Sequence, residues 1–324
     1  MQVTENKQNG RNNELSFTGS TAFLEKFRQL AESMQRHKTI LITGESGTGK
    51  TSLAKFLCHH SPWYNKKIRT VRLDEIPDDQ IEKELFGYKD GFDGRIKAAD
   101  EGTIILKDVT HLPRHLQAKF LRLLEENEFE RIGDAAVVKV NLRTICITGE
   151  NLFQAVLENK FRKDLYYKLS ALEIALPPLR NRPEDIESIS LHYLNGTALQ
   201  HRKNVDRLGQ DALKALQNYD WPGNVRELKA EIEQAVSKLA PEKQILEAND
   251  LSPKVRFNFP QAKTPSNNLA EKMKLIERQM IIEAIEHNHG NKARTAKYLG
   301  LKHRTLYEKM KTLNIPLGVY KPHI

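Results

Sequence analysis

Short runs of β-branched and aliphatic residues punctuate the first half of the chain, at Thr39 to Thr43, Ile68 to Leu73, Thr103 to Leu106, Val137 to Thr148 and Leu172 to Ala175. Between them lie stretches whose apolar residues recur at helical spacing, as in Leu116 to Glu126. Strand and helix alternating in this way predict an α/β layer fold with a mainly parallel sheet. From about Asn181 to Ala248 the strand signals stop. Helical patterns take over at Asp211 to Gln217 and Val225 to Leu239, which predicts a small helical subdomain. Between Leu251 and Asn268, prolines at 253, 260 and 265 interrupt a stretch with no sustained period, so it reads as a linker.

After the linker, Met273, Ile276, Met280, Ile281, Ala284 and Ile285 form an i, i+3/i+4 stripe that predicts a helix over Leu269 to Glu286. The short loop His287 to Gly290 leads to Asn291, an N-cap for a helix over Lys292 to Leu299. Gly300 supplies a turn, and a basic helix opens at Lys302, with Leu306 and Met310 facing inward. Helix, glycine turn and basic helix predict a helix-turn-helix.

The chain has 324 residues, enough for about two domains at ~150 residues each. With 39% apolar and 29% charged residues it reads as a polar globular protein rather than a disordered or fibrous one. No apolar run approaches the ~18 residues of a membrane span, and the first fourteen residues lack the apolar stretch of a signal peptide. Cys58 and Cys146 stand far apart with no CxxC pairing, which fits a reducing compartment. The expected location is therefore the cytoplasm, with no membrane partner. None of the histidines has metal-ligand spacing; His111 and His115 are four apart, but Pro113 lies between them and no HExxH glutamate is present.

The net charge of +9 is unevenly placed. From Lys254 to Ile324 there are 14 Lys and Arg against 5 Asp and Glu, whereas the first 253 residues carry 37 of each. A neutral body with a basic tail suits a polyanion, because Lys and Arg that neutralise phosphates release counterions. In the helix-turn-helix the second helix enters the major groove with its N-terminal residues at base edges. By position His303, Arg304 and Thr305 are the candidates for bases and Lys302, Lys309 and Lys311 for phosphates, with Tyr307 on the same helix.

The strand Thr39 to Thr43 runs into Gly44-Glu45-Ser46-Gly47-Thr48-Gly49-Lys50-Thr51 and then an apolar-periodic helix from Ser52 to His60. That is GxxxxGK[ST] in its strand, loop, helix setting. Glycines let backbone N–H groups face phosphates, the helix N-terminus adds positive potential, and Lys50 can reach the β- and γ-phosphates. The Thr51 hydroxyl is the candidate Mg²⁺ ligand. A nucleotide hydrolase also needs an acid at the tip of a neighbouring strand to hold the metal, and a second to position water. The best candidate strand, Thr103 to Leu106, is followed by Lys107-Asp108, which places an ammonium where the metal-holding carboxylate belongs.

The strings GESGTGK (Gly44 to Lys50), ELFG (Glu84 to Gly87), LQAKFLRLLEENEFERIG (Leu116 to Gly133), FRKDLYYKLS (Phe161 to Ser170), LPPLRNRPEDI (Leu176 to Ile186) and WPGNVREL (Trp221 to Leu228) follow one another in order. With them the chain resembles the AAA+ domain of sigma-54-dependent bacterial enhancer-binding proteins of the NtrC type. Its last ~55 residues, NKARTAKYLGLKHRTLYEKMK above all, resemble their Fis-type helix-turn-helix domain. The resemblance implies a disordered stretch at 1–15, an AAA+ α/β nucleotide-binding subdomain at 16–180, a helical lid at 181–250, a linker at 251–268 and an all-α DNA-binding domain at 269–324. It implies ATP or ADP as ligand, Arg162 as an arginine finger reaching a neighbouring subunit's γ-phosphate, and Arg226 as the lid's sensor arginine. It also implies double-stranded DNA and RNA polymerase holoenzyme as partners, dimerisation through the C-terminal domain and a hexameric ring. The family's usual N-terminal sensory domain is expected to be absent, so a signal would come through a regulatory protein, abundance or the nucleotide site.

The departures from the family matter as much. The Asp-Glu pair that holds Mg²⁺ and activates water reads Lys107-Asp108, the sensor asparagine reads Gly149 after Thr148, and the asparagine near the third strand reads Arg72-Leu73. The family's second arginine is Lys168. The GAFTGA loop that grips sigma-54 is one residue short, Glu84 to Arg95 running ELFGYKDGFDGR without the threonine. The expectation is a DNA-binding regulator that binds a nucleotide with impaired hydrolysis and acts independently of sigma-54. The rivals are an active sigma-54-remodelling ATPase in which Asp108 takes over the catalytic role, and a sensor of another purine ligand such as a cyclic dinucleotide.

Overall fold

The structure is a computed structural model that describes residues 18–33, 37–60, 67–89, 91–256, 269–288, 290–313 and 315. The expected disordered stretch 1–15 and linker positions 257–268 lie outside them. In chain order the first unit contains α1 (Thr21–Ser33), β1 (Thr39–Thr43), α2 (Lys50–His59), β2 (Ile68–Arg72), α3 (Asp78–Phe86), α4 (Gly94–Ala98), β3 (Thr103–Lys107) and α5 (Arg114–Glu126). It continues through β4 (Glu128–Glu130), β5 (Val137–Lys139), β6 (Arg143–Thr148), α6 (Leu152–Leu157), α7 (Lys163–Ser170) and β7 (Glu173–Ala175). The main sheet is parallel and ordered β2-β3-β6-β1-β7.

The sheet is covered on both sides, and the side-chain alternation shows how. Leu41, Ile104, Leu106 and Cys146 join one core cluster with Phe120 of α5 and Leu165 of α7. The intervening Ile40, Ile42, Ile105, Ile145 and Ile147 join another with Leu53, Ala54 and Leu57 of α2. Strands buried on both faces read as continuous apolar runs, which is why they stood out in the sequence. The run Val137 to Thr148 is not one strand, however. It breaks at 140–142, where Asn141 N–H donates to Asp100 Oδ1 at 2.8 Å, into β5, which pairs antiparallel with β4, and the fully buried β6.

The helical subdomain contains α8 (Ile186–His201), α9 (Gln210–Asn218) and α10 (Asn224–Lys238) around a core that includes Leu194, Leu216, Trp221, Leu228 and Ile232. It also carries a parallel pair of two-residue strands, β8 (Arg207–Leu208) and β9 (Ile245–Leu246), too short to show in the hydrophobic pattern. The proposed linker start at 251 is corrected by the next element, α11 (Pro253–Arg256): Leu251 and Val255 are buried in the lid core. Ser252 donates to Glu231 from its backbone N–H (2.6 Å) and its hydroxyl (2.8 Å), and Lys254 Nζ donates to Glu227 Oε1 at 2.8 Å. Proline at the first position of a helix is compatible with helical geometry, so Pro253 opens this turn rather than breaking it.

A second unit spans Pro260–Ile324. It holds α12 (Leu269–His287), α13 (Lys292–Tyr298) and α14 (His303–Thr312). Ile281, Ile282 and Ile285 of α12 are buried along with Ala296, Leu306 and Met310. Asn291 caps α13, its side chain accepting from the N–H of Ala293 and Arg294, both at 3.1 Å.

Candidate functional site

The C-terminal ends of β1, β3 and β6 meet at one edge of the sheet, because Thr43 pairs with Thr148 and Lys107 with Ile147. β1 turns there into the glycine-rich loop. Gly44 (φ +140°) and Gly47 (φ +81°) adopt conformations L side chains rarely take, and a Cβ on them would lie 2.5 Å from the Leu176 carbonyl oxygen and 2.2 Å from that of Gly223. These contacts press the loop against the strand below and the lid above. Lys50 opens α2 and donates from Nζ to the carbonyls of Gly44 (2.6 Å) and Glu45 (2.8 Å). Burial pushes its pKa below the usual lysine value, an effect opposed by Asp108 and reinforced by Arg226 and Lys107.

A cleft of about 570 Å³ lies in front of the loop, and Ser46, Gly47, Gly49, Lys50, Thr51, Lys107, Asp108 and Arg226 all line it. Gly44, Glu45 and Thr48 shape the loop from behind instead. The Glu45 carboxylate is turned away, accepting from both terminal nitrogens of Arg180 (2.8 and 2.5 Å) and from Asn224 Nδ2 (3.1 Å). Chiefly because of Arg180, its pKa is lowered to about 2. Thr48 is buried; its hydroxyl donates to the Glu45 carbonyl, and its own carbonyl accepts from buried Arg182 at 2.7 Å.

Asn224 completes this latch. Fully buried at the start of α10 with φ of 52°, it donates to the Ser46 carbonyl (3.0 Å) as well as Glu45, and accepts from the Leu179 N–H (2.8 Å). Arg226 donates to Ser46 Oγ at 3.2 Å. Sequence reasoning selected Arg226 but passed over Arg180, Arg182 and Asn224. The signal was present in the cationic LPPLRNRPEDI string and in the asparagine after Gly223, but partners some 135 and 180 positions apart are invisible to local patterns.

Arg72 and Lys107 line the same cleft, and Gly149 lies beside it. Lys107, the last residue of β3, is flanked by Arg72 on β2 and Ile147 on β6. Its side chain has no hydrogen bond or ion pair among the described residues. Asp108 follows in the left-handed region (φ 57°, ψ 51°), which Asp tolerates better than most residues. Arg72 is held by Asp74 at 3.0 Å and Glu75 at 2.5 Å, and the first of these raises its pKa. A Cβ at Gly149 would lie 3.6 Å from Lys50 Nζ, so the position from which a side chain would reach toward phosphates is bare.

A divalent metal fits this donor set poorly. Thr51 and Asp108 line the cleft, but Asp74 is committed to Arg72, and Lys107 brings a positive charge to the strand tip. Among the described residues no group of three or more His, Cys, Asp or Glu is placed to hold a metal ion. A polyphosphate fits well: Lys50, Lys107 and Arg226 face it from three sides, beside the N-terminus of α2.

Arg162 does not belong to this cleft. It lies on the surface just before α7, its guanidinium paired with Asp164 (3.1 and 2.7 Å), in a separate hollow with Arg114 and Tyr167. The ELFG loop closes on itself. Tyr88 N–H donates to the Phe92 carbonyl (3.1 Å), Lys89 N–H donates to the Ile132 carbonyl, and Ile132 N–H donates to the Gly87 carbonyl (both 3.0 Å); Asp90 lies outside the described residues.

On the second unit, Arg304 has 91% of its side chain exposed and forms an i, i+4 pair with Glu308 at 3.0 Å. Lys302, His303, Tyr307 and Lys311 are exposed beside it, and Thr305 is half-buried. Lys309 is half-buried, and its ammonium pairs with Glu277 of α12.

Three family models match successive parts of the chain. Residues 17–175 match the sigma-54 interaction domain, 180–268 the AAA+ ATPase lid domain, and 272–313 the bacterial regulatory proteins of the Fis family. The regulatory protein AtoC of Escherichia coli K12 is 35% identical over 312 residues, covering 92% of this chain and 67% of AtoC. The chain belongs to the sigma-54 activator family. Within that family, the nitrogen fixation protein AnfA of Azotobacter vinelandii is 36% identical over 285 residues, covering 86% of this chain and 53% of AnfA. A crystal structure of NtrX from Brucella abortus in complex with ATP superposes with a TM-score of 0.69 at 32% identity, covering 93% of this chain and 70% of that one. The chain thus spans about half to two thirds of the length of these two curated relatives. Like this activator family at large, it combines an AAA+ domain with a Fis-type DNA-binding domain. No helix among the described residues is long and apolar enough to cross a membrane.

Proposed function

We propose that this activator-family chain is a sequence-specific DNA-binding transcription regulator that binds ATP or ADP, hydrolyses it poorly, and acts without remodelling the sigma-54 holoenzyme. The observation that carries the reading is Lys107 at the tip of β3, facing the cleft beside Lys50 where a metal-holding carboxylate would stand. Bare Gly149 and committed Arg72 support it, since both remove polar groups that could order an attacking water. The short, self-bonded loop at 87–92 supports the loss of sigma-54 remodelling. The nucleotide then serves as a conformational ligand, acting through the contacts of Arg226 and Asn224 with the loop, and it can shift the protein between states only by its differential affinity for them. Arg304, His303 and Thr305 read bases, and a dimer through the C-terminal domain would meet two half-sites at promoters of the ordinary sigma factor. Self-association of the AAA+ body and a separate regulatory protein complete the proposed set of partners.

The test is nucleotide binding and steady-state phosphate release on one purified sample, with and without promoter DNA, followed by transcription with each form of holoenzyme. Binding without turnover, and an effect on the ordinary holoenzyme alone, are the expected results. Robust turnover together with sigma-54-dependent open complexes would refute the proposal. It would assign Asp108, which does line the cleft, the lost catalytic role.

A further inference from the structure

Five Lys and Arg residues line the cleft; Arg72 is paired with Asp74 and Lys229 with Glu233 (3.7 Å), whereas the other three have little to neutralise them. The Lys50 ammonium contacts only backbone carbonyls, the Arg226 guanidinium only a serine hydroxyl, and the Lys107 ammonium has no hydrogen bond or ion pair among the described residues. Burial chiefly lowers the pKa of Lys50; Asp108 opposes that, and Arg226 and Lys107 add to it, so all three lie within electrostatic reach of its ammonium. Asp108 is the opposing carboxylate on that wall, Asp74 being held by Arg72. Like charges gathered without partners are unfavourable in the empty site and become favourable when a multivalent anion enters. A divalent cation entering with that anion would cancel part of its charge and approach the Lys107 ammonium.

We propose that the site takes its nucleotide as the metal-free polyphosphate anion, with the Lys107 ammonium neutralising the phosphates in the place of a divalent cation. The proposal rests on the nucleotide-binding reading above and makes Lys107 the residue that sets metal dependence. It turns the lost carboxylate from a defect into a specificity: the protein would respond to nucleotide irrespective of free Mg²⁺. A lysine suits this role, since its compact charge on a flexible stem can follow the phosphates without a fixed coordination geometry.

The experiment titrates the full-length protein with a fluorescent N-methylanthraniloyl-ATP, in excess EDTA and in excess Mg²⁺. For the unaltered protein, affinity in EDTA should equal or exceed that in Mg²⁺. Lys107→Met should lose about tenfold or more in EDTA and much less in Mg²⁺, a split a purely structural defect would not produce. Lys107→Asp should invert the preference, and melting curves of both variants check folding. Binding by the unaltered protein that is about tenfold weaker in EDTA would overturn the proposal while leaving the nucleotide reading intact. So would equal losses by Lys107→Met in both buffers. No binding in either buffer would sink the nucleotide reading, and this proposal with it.

Discussion

Replacing Asn224 by alanine breaks the joint between the lid and the phosphate loop, and its cost can be worked from the contacts. Asn224 has no exposed surface and makes three hydrogen bonds to distant segments. Loss of its carbonyl leaves the Leu179 N–H unpaired at a fully buried residue, worth about 1–3 kcal/mol. Loss of its amide removes the bonds to the Ser46 carbonyl and Glu45, about 0.5–1.5 kcal/mol each, with the latter at the low end because Glu45 is partly solvated. The backbone φ of 52° adds about 1 kcal/mol for alanine, which tolerates the left-handed region less well than asparagine. The sum is about 3–6 kcal/mol, a large share of the ~5–15 kcal/mol that holds a typical protein folded. Urea unfolding followed by tryptophan fluorescence in a Trp63→Phe background reads the lid directly, because the remaining Trp221 is buried three positions away. Asn224→Gly, which relieves the backbone term, should be about 1 kcal/mol less damaging than Asn224→Ala. A shift of less than about 0.5 kcal/mol for Asn224→Ala would place the variant among ordinary surface changes and refute the latch.

Three further outcomes follow from named contacts. Glu45 titrates at about 2 in the folded protein against an ordinary 4.5, so its contribution is present above pH 4.5 and is lost as the pH falls toward 2. Between about pH 5 and 3, Glu45→Gln should therefore lose less stability than the unaltered protein, and parallel curves would count against the Arg180 contact. The double change Lys107→Asp with Asp108→Glu should raise steady-state ATP hydrolysis by about tenfold or more if the strand tip is the main defect; no gain would leave Gly149 and Arg72 responsible. Arg304→Ala should weaken binding to the specific DNA site by about 1–3 kcal/mol with little effect on random DNA, and equal losses on both would reduce Arg304 to a phosphate contact.

The sequence by itself determined the layered body, because parallel strands buried on both faces must be continuous apolar runs and the helices between them must carry a one-sided stripe. It also determined the phosphate loop and the order of elements in the C-terminal unit. Glycine and asparagine there satisfy local backbone demands, as Asn291 does at the start of α13. The changed residues at 72, 107 and 149 could be read off the chain one by one. That they surround a single cleft is a consequence of strand register, with Lys107 set between Arg72 and Ile147.

Tertiary structure decided the rest. The extent of the lid depended on Leu251 and Val255 finding its core, which overrode the linker reading suggested by three nearby prolines. The pairing of Lys309 with Glu277 depended on the two residues meeting from separate helices. The latch of Glu45, Arg180 and Asn224 joins residues some 135 to 180 positions apart in the chain. Local patterns record which face of an element is apolar. Which charge meets which is fixed only when the elements pack, because a polar side chain that loses water must find its partner wherever the fold has put one.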